Sequence, residues 1–305
     1  MIQLMQGDCL ERMKEIESGS VDMILTDPPY GTVKGMVLKG QTKETTQWDE
    51  TIDHELMLSE CNRILRTNGA LVLFSQDPYT AKLMIDTHGN LPFSYRLTWV
   101  KDHFASPLSA KKAPVNYTED ICVFFKKYDT LGQHPLRDYC KSIFDHIGKT
   151  KKQLFSEMGH QGVCHFMRYE TMQFTVCTEK TYNELIACYG IDGIDGFISY
   201  SEMYDIDRRF ARRFARRFNL PDGQKFKSNV LEYKKDYTGL HPTQKPVALM
   251  EDLIKTYTNE GDTVLDFTMG SGTTGVAAKN LNRGFIGIEL DQGYFEIAKE
   301  RINNA

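Results

Sequence analysis

The sequence is short of the features that mark several protein classes. It has two tryptophans, ten prolines and no Cys-x-x-Cys pair. No apolar run approaches the roughly 18–20 residues that a membrane span needs. The start, Met1 to Asp8, has neither the basic nor the apolar region of a signal peptide, so a cytoplasmic chain is expected. The seven cysteines (Cys9, Cys61, Cys122, Cys140, Cys164, Cys177 and Cys188) are odd in number and scattered. Reduced thiols fit that pattern and a disulfide framework does not. His160, Cys164 and His165, with Cys140 and His146 upstream, lack the paired spacing of structural zinc motifs, so no metal is expected. What remains is an ordinary globular composition over 305 residues, 41% apolar and 26% charged. The net charge is only −4, but it is unevenly spread. Residues 137–240 hold 17 Lys and Arg against 14 Asp and Glu, and the remainder holds 20 against 27. A basic middle in an acidic chain points to a region that faces a polyanion.

The first third alternates strand-like and helix-like stretches. Val21–Thr26 is a short apolar run stopped by Asp27-Pro28-Pro29. Leu56, Met57, Cys61, Ile64 and Leu65 recur at helical spacing, and Asn68-Gly69 is expected to end that helix before a strand over Ala70–Ser75. Phe93–Lys101 and Asp120–Lys127 predict two more strands. The end repeats the grammar: a helix over Pro246–Tyr257, a strand over Thr263–Phe267, a glycine turn at Gly270–Gly275 leading into a helix, a strand over Phe285–Ile288 closing on Glu289, and a last helix over Gly293–Ile302. Such alternation predicts a doubly wound, parallel α/β sheet. The middle, about 128–227, breaks the pattern. There Thr150–Gly159 and Thr178–Gly190 each predict a short helix closed by glycine. Arg208–Phe218 repeats Arg-Arg-Phe-Ala, which on one helix would align Phe210, Phe214 and Phe218 in a stripe flanked by six arginines.

Two stretches carry chemistry. In the first, Gly270, Gly272 and Gly275 let backbone approach a ligand at a helix N-terminus, and Glu289 lies where a ribose hydroxyl can be accepted. The literal G-x-G-x-x-G also fits a nicotinamide or flavin cofactor. Asp266 at the strand end would disfavour a pyrophosphate, and only 30 residues follow Gly275, too few for a second nucleotide-binding half. An adenosyl ligand that carries an ammonium and no phosphate, such as S-adenosylmethionine, suits acids at the strand ends. In the second stretch, Asp27-Pro28-Pro29-Tyr30 sets a carboxylate, a rigid carbonyl and an aromatic face at the end of a strand. Proline has no N–H, so its carbonyl is held out as a pure acceptor. Asp27 and the Pro28 carbonyl together would accept both hydrogens of an aromatic amine, favour a pyramidal nitrogen and leave its lone pair to attack a methyl group. Tyr30 would stack on the ring once the base has left the duplex.

With His241-Pro242-Thr243-Gln244-Lys245-Pro246, these two motifs resemble the DNA amino-methyltransferases, in that family's permuted β order, over about 1–127 and 228–303. The resemblance implies a Rossmann-like S-adenosylmethionine-dependent methyltransferase core over 1–127 and 228–305, and a mostly helical target-recognition region inserted at 128–227. It assigns Asp27, Pro28, Pro29 and Tyr30 to the target base. It assigns Asp8, Cys9, Thr243, Gln244, Lys245, Asp266, Phe267, Thr268, Gly270, Ser271, Gly272, Thr273, Thr274 and Glu289 to the cofactor, with Lys245 at the methionine end. Asp8 has a second reading, as a helix cap. The family's Asp-Pro-Phe is here Asp266-Phe267-Thr268, so the residue that packs on the cofactor adenine is open.

Double-stranded DNA is the expected partner, and nucleoid association follows from it. Lys34 and Lys39 after the tetrapeptide, and Lys111, Lys112 and Asn116, sit in polar loops expected to close over DNA. Arg212, Arg213, Arg216 and Arg217 either bind phosphates or pair with neighbouring acids such as Asp205 and Asp207. The resemblance implies transfer to the N6 of adenine. The alternatives are the N4 of cytosine, RNA or a protein glutamine as acceptor, and a DNA-binding protein on an inactive fold. A homodimer and a cognate restriction nuclease are further expected partners.

Overall fold

The computed structural model describes residues 1–31, 51–105, 111–112, 114–127, 134–171, 173–221, 223–237 and 244–305, with backbone alone at Ala105, Arg212 and Arg213. Two compact units emerge, one of Met1–Lys127 with Arg216–Ala305 and one of Tyr128–Ala215. The inserted unit therefore ends at Ala215 rather than at 227.

The first unit is an α/β sheet. Its elements before the insert are β1 (Ile2–Gln6), α1 (Cys9–Met13), β2 (Val21–Thr26), α2 (His54–Ile64), β3 (Leu65–Ser75), α3 (Tyr79–Ile85), β4 (Phe93–Ala105) and β5 (Asn116–Phe125). The insert contributes α4 (Arg137–Ile147), α5 (Lys151–Met158), α6 (Glu179–Tyr189) and α7 (Tyr200–Arg213). Then come β6 (Val230–Glu232), α8 (Val247–Tyr257), β7 (Thr263–Asp266), α9 (Thr273–Asn280), β8 (Gly284–Glu289) and α10 (Gln292–Asn304). Among the described residues the eight strands lie in the order β1-β8-β7-β2-β3-β5-β4-β6. The C-terminal βαβ unit is thus threaded between the first two strands. All pairings are parallel except those of β5, which runs against both β3 and β4. The sheet is mixed where the alternation predicted a parallel one.

Period-two alternation sorts the side chains to two faces. Met23, Leu25, Val72 and Phe74 pack with residues of α8, α9 and α10 on one face. Ile24, Leu71 and Leu73 pack with residues of α1, α2 and α3 on the other. This covering of both faces is what makes the sheet doubly wound. The helix expected to reach Asn68 stops at Ile64, and β3 begins at Leu65. Asn68 adopts φ 61° inside that strand, a local break that the sequence reads as a helix end.

The insert has its own core of Leu136, Ile143, Phe144, Leu154, Phe166, Tyr182, Leu185 and Met203. The two short helices form as expected: Thr150 and Thr178 accept from the third amides of α5 and α6, and Gly159 and Gly190 close them at positive φ. The phenylalanine stripe does not run on one helix. α7 ends at Arg213, Phe210 and Phe214 stack at 4.5 Å within the insert, and Phe218 packs edge-on to Tyr257 in the first unit at 6.2 Å.

Gly275 opens α9 to its neighbours. A Cβ there would lie 2.4 Å from Ile302 Cδ1 and 2.7 Å from Phe285 Cε1. Gly275→Val is therefore expected to cost about 1–3 kcal/mol by overpacking. The measurement is urea unfolding, with a lower midpoint at unchanged slope; a midpoint equal to that of the parent chain would show the space to be adaptable.

Candidate active site

The C-terminal ends of β1, β8, β7 and β2 bring the two sequence motifs together. Thr26, the last residue of β2, donates to Asp266 Oδ1 at 2.7 Å, and its hydroxyl lies 2.6 Å from that of Thr268. Thr268 in turn donates to the Asp27 carbonyl at 3.1 Å. The glycine turn and the tetrapeptide are thereby joined by hydrogen bonds that span 240 to 242 residues of sequence.

On the glycine-turn side the acids are held by neutral donors. Asp266 is 3% exposed and accepts from Thr26, from the Thr268 amide at 3.1 Å and from Thr274 at 2.5 Å. Burial pushes its carboxyl up to about 6 despite these donors. Glu289 accepts from the Gly270 amide and the Asp291 amide, each at 2.8 Å, and burial raises it as well. Among the described residues neither acid bonds a Lys or Arg. Gly270 and Gly272 take positive φ in the turn, and Arg301 pins it from behind, donating to the Ser271 carbonyl at 2.6 Å and to its hydroxyl at 2.9 Å. Ser271, Thr273 and Thr274 are buried. Gln244 accepts from Ser271 at 3.3 Å, which brings the described part of the third motif to the turn. Thr243 lies outside the described residues.

On the tetrapeptide side the polar side chains are charged or bound to a charge. The Tyr30 hydroxyl lies 2.5 Å from Asp27 Oδ1 and 3.0 Å from Glu119 Oε1. Lys245 pairs with Asp27 Oδ2 and, at 3.1 Å, with Glu119 Oε1. Lys101 pairs with Glu119 Oε2 at 2.6 Å. Burial works upward on Glu119, yet the two ammoniums bring it down to about 2. Burial raises Asp27 against the pull of Lys245, and the Tyr30 hydroxyl is held protonated by burial and its two acidic neighbours. Among the described residues nothing bonds the Pro28 carbonyl. One face of Tyr30 stacks on Tyr79, with ring centroids 5.8 Å apart.

Several expectations change. Lys245, expected at the methionine end, has its ammonium on Asp27 and Glu119. Phe267 is 1% exposed, and its ring packs among core side chains of the sheet. Asp8 caps α1, accepting from the Glu11 amide at 3.1 Å. Cys9 follows it, with a thiol that burial pushes up to about 12. Lys34 and Lys39 lie outside the described residues. Lys111 and Lys112 are exposed on a turn between β4 and β5, while Asn116 caps the start of β5 by accepting from the Thr118 amide at 2.8 Å. Arg212 and Arg213 end α7. Arg216 and Arg217 lie beyond it and are engaged on the sheet unit. Arg216 sits 3.3 Å over the Phe125 ring and donates to Ser94, and Arg217 pairs with Asp262 at 3.8 Å. In the insert, His160 donates to Glu184 at 2.6 Å and the Cys140 thiol to the Phe166 carbonyl at 2.9 Å, so these two belong to separate bonds.

The sequence reading missed Glu119 and Lys101. Both were signalled: Glu119 shares the alternation of Ile121, Val123 and Phe125, and Lys101 that of Leu97 and Trp99, which places two charges on an apolar face.

The comparisons agree with this architecture. The family model described as DNA methylase, covering N6 and N4 methyltransferases, matches residues 21–300. The chain belongs to this DNA methylase family. The methylase is 26% identical to the type II methyltransferase M.HpaI of Haemophilus parainfluenzae, over 99% of the chain and 74% of the relative. It is also 26% identical to the DNA adenine methyltransferase YhdJ of Escherichia coli, over 99% and 83%. The crystal structure of the M1.HpyAVI–SAM complex superposes with a TM-score of 0.55 at 22% identity, covering 99% of this chain and all of that one.

The raised carboxyl of Asp266 makes a pH prediction. A carboxyl that titrates near 6 when folded and 3.8 when unfolded favours the folded state at low pH. That contribution is lost as pH rises from about 4 through 6, by about 1–3 kcal/mol. Urea unfolding across this range should show the loss in the parent chain and not in Asp266→Asn. Parallel pH profiles for the two would contradict the assignment.

Proposed function

We propose that this methylase moves the methyl group of S-adenosylmethionine to the N6 amine of adenine in double-stranded DNA, on a base turned out of the helix. The observation that carries the reading is the Asp27 carboxylate, fixed at the end of β2 beside a Pro28 carbonyl that no described residue bonds, and tied to the glycine turn through Thr26 and Thr268. Alignment with an adenine methyltransferase over nearly the whole chain supports adenine. The electronic argument serves the N4 of cytosine equally, so the choice of base rests on that alignment and on aspartate as the first residue of the tetrapeptide.

The donor set fits S-adenosylmethionine. Asp266 and Glu289 are carboxylates with no basic partner among the described residues. A phosphate would be repelled there, whereas an ammonium and ribose hydroxyls find acceptors. Asp266 at the end of β7, Gly270 and Gln244 would hold the amino-acid end, and Glu289 the ribose. When bound, the cofactor supplies an electrophilic methyl carbon on a sulfonium.

The chain's own residues prepare the amine. Asp27 and the Pro28 carbonyl accept its two hydrogens and so localise the nitrogen lone pair. Tyr30 supplies an aromatic face. Once the nitrogen has gained its methyl group it must lose a proton, and Asp27 is the carboxylate placed to accept it. The helical insert is proposed as the target-recognition region, on the surplus of Lys and Arg over Asp and Glu across residues 137–240.

Nucleoside mass spectrometry on DNA from cells that express the chain tests the reading. N6-methyladenine is expected, and Asp27→Ala should lower its rate of formation by roughly 10²–10³-fold, as loss of one preorganised polar group commonly does. N4-methylcytosine would change the base, and undiminished methylation by Asp27→Ala would remove Asp27 from the chemistry.

A further inference from the structure

Asp27 has two oxygens, and in this structure both already hold a donor. Tyr30 holds Oδ1 and Lys245 holds Oδ2. Each oxygen keeps a second lone pair, but an incoming amine competes with these donors for the carboxylate. Neither donor can simply leave. Lys245 is 7% exposed, and a buried ammonium stripped of its partner is costly. Both donors nevertheless have a second acceptor, and it is the same atom. Glu119 Oε1 lies 3.0 Å from the Tyr30 hydroxyl and 3.1 Å from Lys245 Nζ. Lys101 occupies the other oxygen of Glu119 and so leaves Oε1 as the receiving side.

We propose that Lys245 is an internal stand-in for the target amine, and that Glu119 is the positioning residue that receives Lys245 and Tyr30 when the base claims Asp27. This deepens the proposed function and rests on it. Before the base arrives, Lys245 is shared between two carboxylates. With the base in place it rests on Glu119, so the ammonium keeps a carboxylate at every stage, while Asp27 exchanges it for the N–H groups of the amine. Two carboxylates and two ammoniums keep the cluster neutral throughout. Glu119 stays ionised through the working pH range because Lys245 and Lys101 hold its carboxyl low. Glu119 touches no reacting atom. It acts by making Asp27 available.

A double-mutant cycle over Glu119→Gln and Lys245→Met tests this, with methyl transfer to DNA as the readout. Glu119→Gln removes the receiving charge, so Lys245 remains on Asp27. The turnover number should fall about 10- to 100-fold, the span expected for a lost charged hydrogen bond, while the KM for S-adenosylmethionine stays the same. In the Lys245→Met background the same change at Glu119 should matter far less, because nothing remains to be received. A merely structural Glu119 would give the opposite result, with the two losses multiplying. Three outcomes overturn the proposal: multiplying losses, Glu119→Gln within twofold of the parent, and a Lys245→Met chain with no transfer, which would make Lys245 a required participant. If Glu119→Gln does not fold by circular dichroism, Glu119→Asp repeats the comparison, since it keeps the charge but withdraws the receiving oxygen by one methylene. A parent chain that modifies no DNA sinks the proposed function itself. Product from the parent with multiplying losses sinks only the role of Glu119.

Discussion

The hydroxyl of Thr26 is the joint on which the site depends. It sits where β2 meets β7, bonded to Asp266 on one side and to Thr268 on the other. Through it the glycine turn, encoded near the end of the chain, is fixed against the tetrapeptide encoded near its start. Threading β8 and β7 between β1 and β2 makes this possible. Strands that follow one another in the chain would otherwise have paired as β1 and β2, and the acids that suit an adenosyl ligand would have ended elsewhere. Register matters as much as order. Met23 pairs with Val264 and Ile24 with Leu265, so the two strands end together. A one-residue slip would turn Thr26 to the other face and break the joint.

The two sides of that joint solve the cost of buried charge differently. Around Asp266 and Glu289 the partners are hydroxyls and backbone amides. Such groups stabilise a carboxylate without cancelling its charge, so a cationic ligand still finds a net negative site. Around Asp27 the partners are ammoniums and a second carboxylate, which cancel. A neutral amine entering there meets no net field. It meets directed acceptors instead. The contrast explains why burial raises Asp266 near the glycine turn, where only neutral donors oppose it, while two ammoniums bring Glu119 down.

Much of this was legible in the sequence because it is local. Asp27-Pro28-Pro29-Tyr30 and the glycine turn each put their chemistry into a few adjacent residues, and short apolar runs marked most strands of the sheet. The thresholds of β3 and β5 were harder. Asn68 in a left-handed conformation imitates a helix end, and nothing local states that β5 will run against its neighbours. Glu119 and Lys101 were missed because each is a single charge in an apolar run, and their meaning comes from partners far away in sequence. Lys245 was seen but given the wrong neighbour. Its motif fixes that it reaches the site, whereas the packing of β5 against β3 and β4 decides which carboxylates meet it.

The Arg-Phe repeat shows the limit from the other direction. Its four-residue period is a strong local signal, yet the chain spends it on two different units. Phe210 and Phe214 close the end of α7, after which Arg216 lies flat on Phe125 and Phe218 turns to Tyr257. Six like charges beside a stripe of rings look like one surface for a polyanion. Two of them are instead anchors on the sheet unit, Arg216 over the ring of Phe125 and Arg217 beside Asp262. The repeat thus carries the chain out of a unit with its own core and back onto the sheet. Because that inner core is built from residues of the insert alone, its sequence is free to change without moving Thr26, Asp266 or Asp27. A fold that separates the two in this way can alter the insert while the atoms that would prepare the amine stay where they are.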